Sequence, residues 1–473
     1  MYYEKSKNQI YAEKNQFEFV CLEQLVPEDH ILRKIESLVD FDFIHDLTKN
    51  FYSHTAGRNC LDTVTLFKIV MLSFLTGKNS IRATLEETKV NMAYRWFLNL
   101  PLTGTIPNYS TFSKNYARRY ENSKVFKQIF DTLLTSLVEN NLIDLSVIFV
   151  DGTHIKANAN KKKFIKKEVN IAFTDFEKKI QKEIREYRKE LGREDSDDDD
   201  SDDTFIDEET GEVKELKETK TINESKTDPD SGMFVKGEHE RIFAYVDQVA
   251  CDKRGYVVGY DVNPGNVHDS KAFMPFFENE LSLLNPNVIC ADAGYMNGGL
   301  AKEVMDKGIN FLAPYVRPRG NKDEMNKLFT YQLEIDSYIC PNGNLLYKNN
   351  VSKDGYIEYV IDSYNCNNCP FKNECMKQYK RKTIRRHIYQ DILDVCRNYR
   401  LSDEGKEIYK QRKETIERVF ADGKERFGLR YTRFKSLKKN KAYRGLLYAC
   451  MNLKKAALHI IDRAGNKIKL CEC

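Results

Sequence analysis

The sequence predicts an α/β protein in which a mixed sheet follows an all-α segment and is broken by two insertions. Apolar residues recur at three- and four-residue spacing through residues 1 to about 135, as in "HILRKIESLVDFDFIHDL" (30–47), which is the period of amphipathic helices. From residue 144 onward short β-rich runs replace that period. Two stretches, about 157–238 and 317–399, interrupt those runs with charge-rich or cysteine-bearing sequence.

The elements follow in order. "TVTLFKIVMLSFLTG" (63–77) is the longest apolar helix candidate, but it contains Lys68 and is too short to span a bilayer, which takes about 20 residues. "TIPNYSTFSKNYARRY" (105–120) has the turn, cap residues and basic, aromatic-bearing helix of a DNA-contacting helix pair; an ordinary solvated basic helix has the same look. Five strands are expected at 144–151, 241–252, 255–262, 287–292 and 308–316, with helices at 270–284 and 298–307. "DKRG" before the third run makes a hairpin of the second and third. The helix-separated fourth and fifth run parallel.

Composition bounds the function. With 473 residues and 41% hydrophobic content the chain fills real cores, and its start, "MYYEKSKNQ", has no apolar signal region, so a cytoplasmic protein without membrane spans is expected. Net charge is +4, yet "EDSDDDDSDDTFIDEE" (194–209) holds eleven acids and no base, so setting it aside leaves the remainder at +15. A basic body suits a polyanion, because phosphate neutralisation releases counterions. The acidic run is too poor in apolar residues to fold, and reads as a disordered loop that competes with DNA for the basic surface. Before it, Phe176, Ile180, Ile184, Tyr187 and Leu191 fall at helical spacing on a helix expected to pack on its own body.

Two carboxylates stand out by position. Asp151 in "VIFVDGTHIKANANKKK" (147–163) and Asp292 in "NVICADAGY" (287–295) each follow an apolar strand, where a bare charge is costly unless a cation neutralises it. A turn is the alternative for the Asp-Gly pair. In "KQRKETIERVFADGKERFG" (410–428), Glu417 and Lys424 stand seven residues apart on one helical stripe near Lys413, while Ile416, Phe420 and Phe427 face a core; an exposed ion-pair ladder would look alike. Three carboxylates from two strands and a helix suit hard divalent ions such as Mg2+. His154 and Asn158 read as turn caps, with orientation of water or DNA as the alternative; His268 and Asp269 also invite a ligand reading, but Asp269 or Ser270 is the expected cap of the helix that follows.

Twelve cysteines in a reducing compartment are thiols, and Cys340 with Cys366, Cys369 and Cys375 in "CNNCPFKNEC" has the paired spacing of a structural Zn2+ site, against the alternative of buried thiols.

These residues together resemble the bacterial insertion-sequence DDE transposases, specifically the IS-four-like superfamily in its subgroup with a helical N-terminal domain and a cysteine-bearing insertion. The resemblance rests on "LVPEDHILRKIESLVDF", "RNCLDTVTLFKIVMLSFLTGKNSIRATLEET", "FVDGTHIKANANK", "TDPDSGMF", "ADAGY" and "IERVFADGKERFGLRYTRF". It implies an RNase H-like core from 144–156, 239–316 and 400–460, a helical DNA-binding and assembly domain over 1–135, and insertions at 157–238 and 317–399. It also implies Asp151, Asp292 and Glu417 as catalytic ligands of two Mg2+ or Mn2+ ions, and Lys424 as a phosphate-contacting lysine. Lys413, Arg430 and Arg433 join Lys424 as DNA-backbone contacts on charge and position. The family's tyrosine and arginine are expected seven and four residues before the glutamate, where Lys410 and Lys413 stand; Tyr409 and Arg412 lie one residue further back. The implied partners are double-stranded DNA, as element ends and target, and a second copy in the DNA complex; the implied location is the nucleoid. A catalytically silent DNA-binding relative and a nuclease without strand transfer are the alternatives.

Overall fold

In the computed structural model, residues 4–463 are described apart from 54, 56, 58, 79, 172–174, 192–203, 207–212, 216–217, 237–239, 315–326, 353–354 and 377–380. The chain divides into two compact units, one of residues 1–144, 419–432 and 438–473, the other of 145–418 and 433–437. Of residues 400–460, expected to belong with the sheet, 400–418 and 433–437 fall in the second unit and the rest in the first.

The first unit is built from helices. Thr63–Leu75 is buried along its whole length, Lys68 included. That lysine is tolerable because its Nζ lies 2.6 Å from Glu36 Oε1 and over the rings of Phe41 and Phe97, at 4.8 and 5.0 Å. Tyr443, on the helix Leu437–Arg463, packs against Phe112, Tyr116 and Phe126, so Phe112 and Tyr116 of the 105–120 segment serve this core while Lys114 and Arg118 stay exposed. No described helix is long and apolar enough to cross a membrane.

The second unit holds the strands β1 (Val147–Lys156), β2 (Phe164–Ile171), β3 (Thr204–Ile206), β4 (Val213–Glu215), β5 (Glu218–Ser225), β6 (Gly232–Lys236), β7 (Glu240–Asp252), β8 (Val257–Pro264), β9 (Val288–Cys290), β10 (Asn310–Leu312), β11 (Thr330–Gln332), β12 (Ser337–Ile339), β13 (Leu345–Val351), β14 (Tyr356–Val360) and β15 (Thr383–His387). The main sheet runs β10-β9-β1-β7, and β7 then pairs with β6 along its first residues and with β8 along the rest. β1, β7 and β8 are antiparallel, whereas β9 and β10 are parallel to β1, as the hairpin and helix-separated runs predict. Val147–Val150 are fully apolar and buried because both faces of this strand are covered. The expected helices fall at Asp269–Phe276, continued by short turns to Leu284, and at Gly298–Asp306.

The insertions each have structure. The first opens on the β2–β5 pair and carries the helix Asp175–Glu190. Its Ile180, Ile184, Tyr187 and Leu191 pack onto a second sheet, β11-β12-β13-β14-β15, in the cysteine-bearing insertion. The expected apolar stripe thus has its own-body partner. Most of the acidic run 194–209, with the disorder expected of it, lies outside the described residues; within it Thr204–Ile206 pair with Val213–Glu215.

Candidate active site

Asp151 does not end its strand. It sits in the middle of β1, opposite Val249 of β7, which removes the turn reading of the Asp-Gly pair. What ends there is the neighbour on the other side. Parallel pairing of β1 with β9 stops at Phe149 and Cys290, and Asp151 and Asp292 each stand two residues further on. Strand side chains alternate, so a shift of two keeps each aspartate on the face of the paired residue before it. The carboxyl end of β9, beside a strand whose other neighbour is antiparallel, is where a mixed sheet opens a notch for ligands. Asp292 is exposed and caps the short turn Ala293–Tyr295 through Ala293 N–H, at 2.7 Å.

Burial raises the Asp151 carboxyl above the usual aspartate range, and the charges of Asp292 and Asp269 add to that; the Arg412 guanidinium and the Gly152 N–H oppose it. Arg412, on the helix Asp403–Arg426, places Nη2 3.0 Å from Asp151 Oδ2 while its own side chain is only 7% exposed. A cation therefore already neutralises this carboxylate. Burial raises the hydroxyl pKa of Tyr409, one turn earlier, an effect that the Arg412 guanidinium opposes and the Asp292 charge adds to.

A third aspartate belongs to this neighbourhood. Asp269 begins the helix Asp269–Phe276, yet the cap is His268, whose Nδ1 accepts from Ser270 N–H at 3.3 Å. The expected cap role for Asp269 or Ser270 is thus corrected. Asp269 Oδ1 instead accepts from Gln248 Nε2 at 2.9 Å, and Gln248 Oε1 accepts from the buried Tyr295 hydroxyl. Gly152 faces Gln248 across the ladder, and a Cβ there would meet Asp269 Oδ1 at 2.9 Å and Gln248 Nε2 at 3.1 Å, so only glycine admits this relay beside Asp151. The sequence signal was the "GNVHDS" turn, but only the β1–β7 register reveals what Asp269 faces.

Glu417 lies on the exposed side of its helix, while Arg412, Ile416, Val419 and Phe420 form the buried stripe. Among the described residues no three histidine, cysteine or carboxylate side chains are closed around a common metal position, so Asp151, Asp292 and Glu417 do not stand at shared coordination distance. Lys413 is exposed on the same helix, Arg430 pairs with Glu425, and Lys424 is half-buried. Arg433 is exposed on a short loop whose backbone is tied down. Asn158 Nδ2 donates to its carbonyl at 2.9 Å, and buried Asp228 accepts from Ser436 N–H at 3.0 Å and from the Tyr245 hydroxyl at 2.9 Å. This gives "TDPDSG" a physical role as the anchor of a basic loop. His154 is neither cap nor turn; its ring stacks on Phe234 with centroids 3.6 Å apart.

An acidic notch at the end of a parallel strand pair, against a helix that carries exposed Lys413, defines a class of site suited to hard cations and a polyanion. Residues 20–118 match the family model described as a transposase domain (DUF772), and residues 339–457 match the one described as a transposase DDE domain. Both matches are to transposase models; the second covers Glu417, all four basic candidates and the four cysteines, and neither covers Asp151 or Asp292. No curated protein and no solved structure matches the chain.

Proposed function

We propose that the chain is a DNA transposase of the IS-four-like type, in which Asp151, Asp292 and Glu417 form the catalytic triad of an RNase H-like core. The observation that carries this reading is the register of Asp151 and Asp292 at the end of the β1–β9 pair, in a six-stranded sheet where β7 pairs antiparallel with β1, β6 and β8 and where β9 and β10 run parallel to β1. The donor set fits a hard divalent ion: all three groups are carboxylates, and Asp151 already draws a cation, the Arg412 guanidinium, to 3.0 Å. Asp151, Asp292 and Glu417 would hold two Mg2+ or Mn2+ ions, which when bound supply Lewis-acid activation of the attacking oxygen and charge stabilisation at the phosphorus.

The chain's own residues do the rest. Gln248 fixes the orientation of Asp269, whose charge, with that of Asp292, makes the notch attractive to cations. Lys413, Lys424, Arg430 and Arg433 hold the DNA backbone, fixing register and not sequence. Hydrolysis at an element end frees a 3′-hydroxyl, which then attacks a second phosphodiester and displaces its 3′-oxygen, with no covalent bond to the protein. The N-terminal helices bind the ends, and two copies pair them on chromosomal DNA in the cytoplasm.

Purified protein incubated with labelled element ends and Mg2+ tests this. Cleavage followed by strand transfer is expected. Cleavage alone would make the chain a nuclease, and binding without cleavage a silent relative.

A further inference from the structure

Outside the carboxylate site, four thiols from separate positions line one pocket in the insertion. Cys340 follows β12, Cys366 ends the turn Ser363–Cys366, Cys369 lies in the next turn, and Cys375 is on the helix Lys372–Met376. All four are free thiols; Cys366 is buried and the others are half-buried.

The turns that carry them are shaped for a metal-bound sulfur. At Cys340–Asn344, Gly343 N–H donates to the Cys340 carbonyl at 2.9 Å, and Cys340 N–H donates to the Asn344 carbonyl at 2.9 Å. Gly343 takes φ +78°, and Asn344 N–H is thereby aimed at Cys340 Sγ, 3.3 Å away. An N–H directed at sulfur stabilises a thiolate that ligates a cation. In the second half, Cys369 N–H reaches the Cys366 carbonyl at 3.4 Å, folding the Cys-x2-Cys pair to one side. Lys382, only 8% exposed, donates to the Cys375 carbonyl at 3.2 Å and sets a positive charge beside the cluster. Four thiolates around a divalent ion carry a net charge of about −2, which a neighbouring buried ammonium offsets.

The insertion also needs a staple. Its strands are three to seven residues long, and its core is a small cluster that includes Cys366 and Met376 themselves. Bodies this small gain stability from metal or disulfide links. The sulfur-only donor set separates this site from the oxygen-only one: thiolates select a soft, tetrahedral ion and reject Mg2+.

We propose that Cys340, Cys366, Cys369 and Cys375 bind one Zn2+ ion in a tetrahedral thiolate site that ties the β12–β13 turn to the segment 363–376. Among the described residues no three of these sulfurs already stand around a common metal position, so binding draws the pocket closed. The proposal stands apart from the DNA-cleavage reading.

Metal analysis of the full chain, purified under reducing conditions without added zinc, should find about one zinc per chain, resistant to dialysis. Cys340→Ser/Cys369→Ser should lose it, and Cys21→Ser should keep it. Replacement by Co2+ in the wild-type chain should give the intense visible bands and sulfur charge-transfer of a tetrahedral thiolate site, a readout that holds even if the double variant misfolds. Zinc-free wild-type protein, zinc retained in the double variant, a weak octahedral cobalt spectrum, or a Cys366–Cys369 disulfide in freshly purified protein would each overturn the proposal.

Discussion

Arg412 Nη2 stands 3.0 Å from Asp151 Oδ2, so the carboxylate in the middle of β1 is neutralised by a guanidinium that is itself buried. Each charge is affordable only through the other. A divalent ion at Asp151 must compete with, or share, this partner. The variant Arg412→Met removes the competitor, so Mg2+ should raise its thermal midpoint more than it raises that of wild type. A tenfold gain in affinity corresponds to about 1.4 kcal/mol. The same titration on Asp151→Asn should show no such shift, and an equal Mg2+ response in all three proteins would contradict competition at Asp151.

Asp151→Ala, Asp292→Ala and Glu417→Ala should each abolish end cleavage, a loss of at least about 100-fold, since electrostatic stabilisation at the reacting phosphate is lost. Binding of the same DNA, measured by gel shift, should be nearly unchanged. Retained cleavage in one variant would remove that residue from the triad.

The relay of Tyr295, Gln248 and Asp269 predicts a stability effect independent of catalysis. Gln248→Leu leaves the buried Tyr295 hydroxyl without its acceptor, which costs about 1–3 kcal/mol. Adding Tyr295→Phe should recover part of that loss, measured by urea unfolding. Strict additivity of the two changes would show that the groups are uncoupled.

In the helical unit, Lys68 and Glu36 should respond unequally. Glu36→Ala strands an ammonium that is 1% exposed, and should destabilise by about 3 kcal/mol. Lys68→Met should be near neutral, because Glu36 is 31% exposed and its carboxyl is already raised by burial. Comparable losses in the two variants would contradict this account.

His30 caps the helix Ile31–Leu38 with Nδ1 accepting from Leu32 N–H at 3.2 Å, and burial lowers its pKa below the usual 6.5. A depressed folded pKa means that the unfolded chain binds the proton first. The cap's contribution, about 1 kcal/mol, is therefore complete above the ordinary histidine pKa and is lost as pH falls through the depressed one. His30→Asn should keep a cap and flatten this acid loss in pH-dependent unfolding; an unchanged pH profile would refute the role.

The legible parts of the sequence were those with a strong period. Each of the five predicted core strands and both helices between them overlaps its apolar run, because buried strands announce themselves as continuous Val, Ile and Phe, although β1 runs on to Lys156, past its expected end at 151. The stripe of Ile180, Ile184 and Tyr187 was equally plain, but not its partner sheet, since packing between two insertions leaves no local trace. Asp269 was missed as a site residue for a similar reason: its approach to Asp151 depends on Gly152 lying opposite Gln248, which only register reveals. The cysteines were legible as a set, whereas the N–H aimed at Cys340 Sγ follows from the backbone of one turn.

The central claim is that Asp151, Asp292 and Glu417 share metal ions when DNA is bound. Iron-directed cleavage of the protein chain tests it most directly: Fe2+ replaces Mg2+, and locally generated hydroxyl radicals cut the backbone beside the bound ion. With element-end DNA present, cuts are predicted near residues 151, 292 and 417 together, all suppressed by excess Mg2+. Cuts at 151 and 292 with none at 417 would contradict the account.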